Sequence, residues 1–162
     1  MNKTVSRISS GLLLCAFFFG GQAYVNRDLA SGRPPAINAE TIEGEVFSLA
    51  QLEGKPSLIY FWASWCGICR TMESSMGELS QNTEMISVAM QSGDRQAVRH
   101  YLAKKNITLP VINDSAGSIS NTYGIKGVPA IFILDKHGNV KYATSGYSPS
   151  FAIKIRLWLA GL

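Results

Sequence analysis

Ser57-Leu58-Ile59-Tyr60-Phe61-Trp62 runs without a charge into Ala63-Ser64 and then into Trp65-Cys66-Gly67-Ile68-Cys69. The first six residues read as a buried strand, and the pattern over 69–79 predicts a helix. Two thiols therefore fall one helical turn apart where a strand hands over to a helix. Cys66 is expected at the helix N-terminus. Unpaired backbone N–H groups and the positive end of the helix dipole favour thiolate over thiol there. Thiols in C-x-x-C motifs commonly titrate at roughly 3.5–7.5 instead of ~8.5. The stretch thus predicts a nucleophile at neutral pH and redox chemistry.

The chain has 162 residues, enough for one domain with a hydrophobic core and too few for two ordinary ones. Its apolar share of 46% and charged share of 16% are globular. The net charge of +4 falls to +2 without residues 1–23, which hold Lys3 and Arg7 and no acid. That balance gives no support to nucleic-acid binding. The one other cysteine, Cys15, lies in the apolar N-terminal stretch, so the rest of the chain holds a single thiol pair and disulfide scaffolding is excluded.

Lys3 and Arg7 precede an uncharged run over 8–26 that is densest at Leu12-Leu13-Leu14-Cys15-Ala16-Phe17-Phe18-Phe19. This is an export signal with two competing endings. Gly21-Gln22-Ala23 is an acceptable small-residue cleavage site, leaving a soluble periplasmic protein. As an uncleaved helix the run, at ~1.5 Å per residue, just reaches the ~30 Å hydrocarbon thickness and makes a single-pass inner-membrane anchor. Lipid attachment at Cys15 is disfavoured because Leu14 stands where a small residue is wanted. Either leading ending sends the chain from Asn26 onward across the membrane, since the basic residues stay on the cytoplasmic side.

Residues 27–35, with Gly32 and Pro34-Pro35, read as a linker, and the domain proper is expected over 36–162. Ala36-Ile37-Asn38-Ala39 and Glu45-Val46-Phe47-Ser48 flank Glu43-Gly44 as an N-terminal β-hairpin, and Gly54-Lys55-Pro56 turns the chain into the central strand. A second apolar run over 85–90 is followed by a helix over 94–105 with Ala97, Val98, Tyr101 and Leu102 along one face. Val111-Ile112 and a short helix over 118–123 lead to Gly127-Val128-Pro129. An antiparallel pair over 130–134 and 140–145 turns at Lys136-His137-Gly138-Asn139. Pro149 starts a closing helix in which Phe151, Ile155 and Leu159 share a face. This order predicts an α/β fold, a central mixed sheet flanked by helices.

With Phe61-Trp62-Ala63-Ser64-Trp65-Cys66-Gly67-Ile68-Cys69-Arg70, the helix over 97–110 leading into a strand, and Gly127-Val128-Pro129 before Phe132-Ile133-Leu134-Asp135, the chain resembles the thioredoxin superfamily. Within it the chain looks like the membrane-anchored periplasmic branch of TlpA-like and cytochrome c maturation proteins. Including Thr144-Ser145-Gly146-Tyr147 and Lys154-Ile155-Arg156-Leu157-Trp158, it is most similar to the subgroup named for suppression of copper sensitivity, protein D. The resemblance implies a thioredoxin-like fold with a cis bond before Pro129, facing the cysteines. It implies Cys66 as nucleophile, Cys69 as resolving thiol, and Trp65, Gly67, Ile68 and Val128 as contacts to substrate, with no cofactor and no metal. Three positions depart from the family: Tyr60 stands where thioredoxin has a buried acid, Gln91-Ser92-Gly93 where many relatives have a glutamate, and Ser74 where they have a kinking proline. Glu73, one turn after Cys69, is then the nearest carboxylate to serve as its base.

The resemblance implies a thiol:disulfide oxidoreductase that reduces disulfides of periplasmic proteins, recharged by a membrane electron-donor protein, in copper tolerance or cytochrome c maturation. Two other classes remain open: a non-catalytic module holding Cu(I) on the two thiolates, and a thiol peroxidase, against which stands Ser64-Trp65-Cys66 without a proline. A zinc site is disfavoured because His100 and His137 are not in ligand spacing. Met72, Met76, Met85 and Met90 are expected as packing rather than copper ligands.

Overall fold

A computed structural model describes Gly21 and residues 26–162. The apolar run expected as signal or anchor lies outside the described residues, Gly21 and Asn26 apart. Among the described residues no helix is long and apolar enough to cross a membrane. Strands β1 (Asn38–Glu40) and β2 (Val46–Ser48) pair antiparallel as the expected hairpin. The first strand begins two residues later than the sequence suggests; before it, the Pro35 carbonyl accepts from the Tyr123 hydroxyl and the Ile37 carbonyl from the Leu49 N–H.

Strands β3 (Ser57–Trp62), β4 (Glu84–Met90), β5 (Val111–Asp114), β6 (Ala130–Leu134) and β7 (Val140–Ser145) form a sheet in the order β5-β4-β3-β6-β7. β3 runs parallel to β4 and antiparallel to β6, so the sheet is mixed, with β3 at its centre. All six β3 residues are buried, which is why the run carries no charge. Alternation splits them between faces. Leu58, Tyr60 and Trp62 pack under helices α1 (Gly67–Ser80), α2 (Arg95–Lys105) and α4 (Ser150–Ala160). Ile59 and Phe61 face the hairpin side, with Phe132, Tyr123, Ile125 and Phe47; the short helix α3 (Ser118–Thr122) leads into Tyr123.

Local chemistry sets the ends of these elements. The Asp94 carboxylate accepts from the Ala97 N–H at 2.7 Å and caps α2, and Asn106 ends that helix in the left-handed conformation. The buried Asp114 carboxylate accepts from the N–H and hydroxyl of Ser120 at 2.9 and 2.7 Å and from the Ile119 N–H at 3.1 Å, holding α3 against the end of β5.

One expectation needs correction. Residues 27–35 are not a free linker but lie on the domain. Leu29 is buried, the Ala30 N–H donates to the Tyr123 carbonyl, and Gly32 bridges to Val140 at the β7 edge. Gly124 is required for this path, since a Cβ there would collide with the Asp28 carbonyl. In α4 the face shared by Phe151, Ile155 and Leu159 points outward, and the helix buries Ile153 and Ala160.

Candidate functional site

Cys66 is the N-cap of α1, and its Sγ accepts from the Cys69 N–H at 3.1 Å. The two cysteines form a disulfide with Cα atoms 5.3 Å apart. Exposure separates them: Cys66 is 6% exposed and Cys69 1%, so an incoming group meets Cys66 first. In the reduced state the same N–H and the helix N-terminus stabilise a Cys66 thiolate.

The Val128–Pro129 bond is cis, as the resemblance implies. The Val128 carbonyl oxygen lies 3.4 Å from Cys66 Sγ, across 62 residues of sequence. Trp65 and Ile68 flank the disulfide with side chains 57% and 50% exposed, and Gly67 beside them is open. The structure therefore brings Cys66, Cys69, Val128 and Pro129 together, with Trp65, Gly67 and Ile68 on the rim of the same surface.

Glu73 sits one turn along α1, where its carboxylate accepts from the Tyr101 hydroxyl of α2. The Tyr101 phenol is raised to about 12 by burial, then by its hydrogen bond to Glu73 and that group's charge, with Arg70 opposing. It stays protonated and keeps donating at neutral pH. Tyr60, 1% exposed, has a hydroxyl with no hydrogen-bond partner among the described residues. Its phenol is pushed well above its ordinary value by burial, then by the Glu73 carboxylate and Tyr101. Where thioredoxin has a buried acid, this chain has a neutral hydroxyl near a carboxylate that a tyrosine holds.

Sequence reasoning missed the residues that carry the Trp65 segment. Trp65 Nε1 donates to the Gln91 carbonyl at 3.1 Å, and the Ser64 N–H donates to Ser92 Oγ at 3.0 Å. Gln91 does this with a left-handed backbone, φ 45°. The signal available was a polar triplet, Gln91-Ser92-Gly93, closing an apolar strand; it read only as a missing glutamate. Met72, Met76 and Met85 are buried in the core, and His100 and His137 are exposed. Among the described residues no cluster of three or more His, Cys, Asp or Glu side chains is arranged to hold a metal.

Residues 32–143 match the AhpC/TSA family. A thioredoxin-like protein of Haemophilus influenzae is 32% identical over 139 residues, covering 85% of this chain and 83% of that protein. The thiol-disulfide oxidoreductase ResA of Halalkalibacterium halodurans is 29% identical over 138 residues, covering 80% and 78%. Among solved structures, a thiol:disulfide interchange protein described as DsbE from Chlorobium tepidum superposes with a TM-score of 0.72 at 26% identity, over 82% of this chain and 98% of that one. The matched segment of the family includes both cysteines and Pro129 and ends before α4 begins.

Proposed function

The chain belongs to the AhpC/TSA family and is a thioredoxin-like thiol:disulfide oxidoreductase, and from that premise we propose that it works as a reductant of protein disulfides through Cys66 and Cys69. One juxtaposition supports the reading: at a helix N-terminus, 3.4 Å from the Val128 carbonyl, lies the less buried of two sulfurs, with the more deeply buried one a turn behind it. The Cys66 thiolate attacks one sulfur of a substrate disulfide, the S–S bond breaks, and the first substrate thiolate leaves and takes a proton. A mixed disulfide then lies against Val128 and Pro129, with Trp65, Gly67 and Ile68 as contact surface. Cys69, deprotonated, attacks Cys66 and expels the second substrate thiolate. Two electrons have passed to the substrate, and the pair is left as the Cys66–Cys69 disulfide.

In an oxidising compartment the pair needs recharging, which in this proposal comes from a membrane electron-donor protein delivering two electrons per cycle. The uncharged run over 8–26 behind Lys3 and Arg7 supports an inner-membrane anchor with the domain facing the periplasm, or export with cleavage near Ala23. Copper tolerance and cytochrome c maturation are the processes in which such a reductant of periplasmic partners would serve.

The direction is tested by the reduction potential of the pair, equilibrated in glutathione or dithiothreitol buffers. A value near about −270 mV supports a dedicated reductant, and one near about −120 mV makes the protein an oxidant and overturns the proposal. Glu73 is proposed to take the Cys69 proton. Glu73→Gln is then expected to slow decay of the mixed disulfide by roughly 10²-fold, the lower end for general-base catalysis, while formation of that species is unchanged. Stopped-flow measurement across pH separates the two steps; equal slowing of both would remove Glu73 from the role.

A further inference from the structure

Helix α4 is apolar on both sides. Ile153 and Ala160 are buried, Leu157 packs partly against the same core, and the opposite stripe of Phe151, Ile155, Trp158, Leu159 and, past the helix end, Leu162 is exposed by 65, 54, 66, 37 and 81%. These five recur at the three- and four-residue spacing that makes one continuous face. An open apolar stripe opposite a buried one marks a surface for contact.

Where the chain outside the described residues rejoins the domain says what that is. Asn26 has helical backbone, and its side-chain oxygen accepts from the Ser145 N–H at 3.1 Å. It lines one cleft with Tyr147, Pro149, Ala152 and Arg156, the approach to α4 and its first two turns. Asn26, the last residue of the apolar run over 8–26, thus stands at that cleft, and residues 27–35 after it are packed onto the domain. A run held in a bilayer would hold α4 at its surface. The composition suits that position: aromatic and aliphatic side chains form the open face, no carboxylate lies on the helix, and its two cations flank that face, Lys154 on Glu78 at 3.3 Å with its side chain still 55% exposed and Arg156 on the Thr144 hydroxyl at 2.9 Å. Aromatic rings and cations of this kind are favoured where acyl chains meet anionic headgroups.

We propose that the open face of α4 lies in the headgroup region of an anionic lipid bilayer, fixing the domain's orientation against the membrane that anchors it. This rests on the reading of residues 8–26 as an uncleaved anchor. Docked so, the domain works at a set height and tilt, and substrates approach the Cys66 surface from one side.

The test uses the full chain reconstituted into phosphatidylethanolamine and phosphatidylglycerol vesicles, with and without bromine on the acyl chains near the headgroups. Trp158→Phe identifies the emission belonging to Trp158 against that of Trp62 and Trp65. Loss of the Trp158 emission in brominated vesicles, and its return in the double variant Phe151→Glu, Ile155→Glu with flotation retained, is the expected result. Flotation with Trp158 unquenched overturns the docking while leaving the anchor. Failure to float overturns the anchor reading itself. Trp158 shielded from bromine but cross-linking between copies in proportion to protein density assigns the face to a second copy and also overturns the proposal. Trp158 with the emission of a buried ring yet unquenched by brominated lipid and by brominated detergent alike assigns the face to the chain's own N-terminal segment, with the same consequence.

Discussion

Replacing Cys69 by serine is expected to arrest the protein as a covalent adduct with its substrate, and replacing Cys66 by serine to give no adduct at all. The asymmetry follows from burial: Cys66 is the sulfur an incoming disulfide meets, and Cys69 sits beneath it at 1% exposure. With Cys69→Ser the first exchange proceeds, but no thiolate remains to attack the mixed disulfide, and it accumulates. With Cys66→Ser only the more deeply buried Cys69 remains, yet a serine hydroxyl can still accept from the Cys69 N–H, so the start of α1 is preserved. Turnover in each variant is expected to fall by at least roughly 10³-fold, the two losses not adding in the double variant because the sulfurs act as a unit. Non-reducing electrophoresis against a disulfide-bonded protein substrate distinguishes them. Adducts forming equally through either cysteine would refute the assignment of roles.

How much of this was legible in the sequence depended on whether the signal was local. The strand before Trp65, the helix after it and the turn over 136–139, whose N–H groups at His137 and Asn139 donate to Asp135, are set by residues within a few positions of one another, and they stand where the pattern put them. Residues 27–35 failed for the opposite reason. Gly32 and two prolines look like a linker, and what docks them is Tyr123 and Gly124, about ninety residues on, through a hydroxyl to Pro35 and the absence of a side chain. Tyr101 read as one apolar residue on a helix face, though its hydroxyl closes on Glu73, 28 residues away. In α4 the periodicity was sound but degenerate, since two opposite stripes are both apolar. Only the surface already occupied by Leu58, Tyr60 and α1 decides which one turns inward.

That dependence on the sheet sets up the largest stability effect expected. Phe61, Tyr123 and Phe132 form a closed triangle with ring centroids 5.1, 5.6 and 5.2 Å apart, all three fully buried. It clamps β3 to β6 on the face away from α1. β6 begins directly after Pro129, and β3 ends four residues before Cys66, so the triangle joins the two strands that lead to the site. Phe132→Ala removes one corner and leaves a void bounded by two strands that cannot collapse without breaking ladder hydrogen bonds. The loss is expected at about 3–5 kcal/mol, lowering the thermal midpoint by on the order of 10 °C. Because the triangle lies across the sheet from Cys69, Glu73 and Tyr101, the reduction potential measured well below that midpoint is expected to match the wild type. Circular dichroism melts paired with redox titration check both parts. A shifted potential with an unchanged midpoint would mean that the triangle acts on the cysteines themselves rather than on the sheet that holds them.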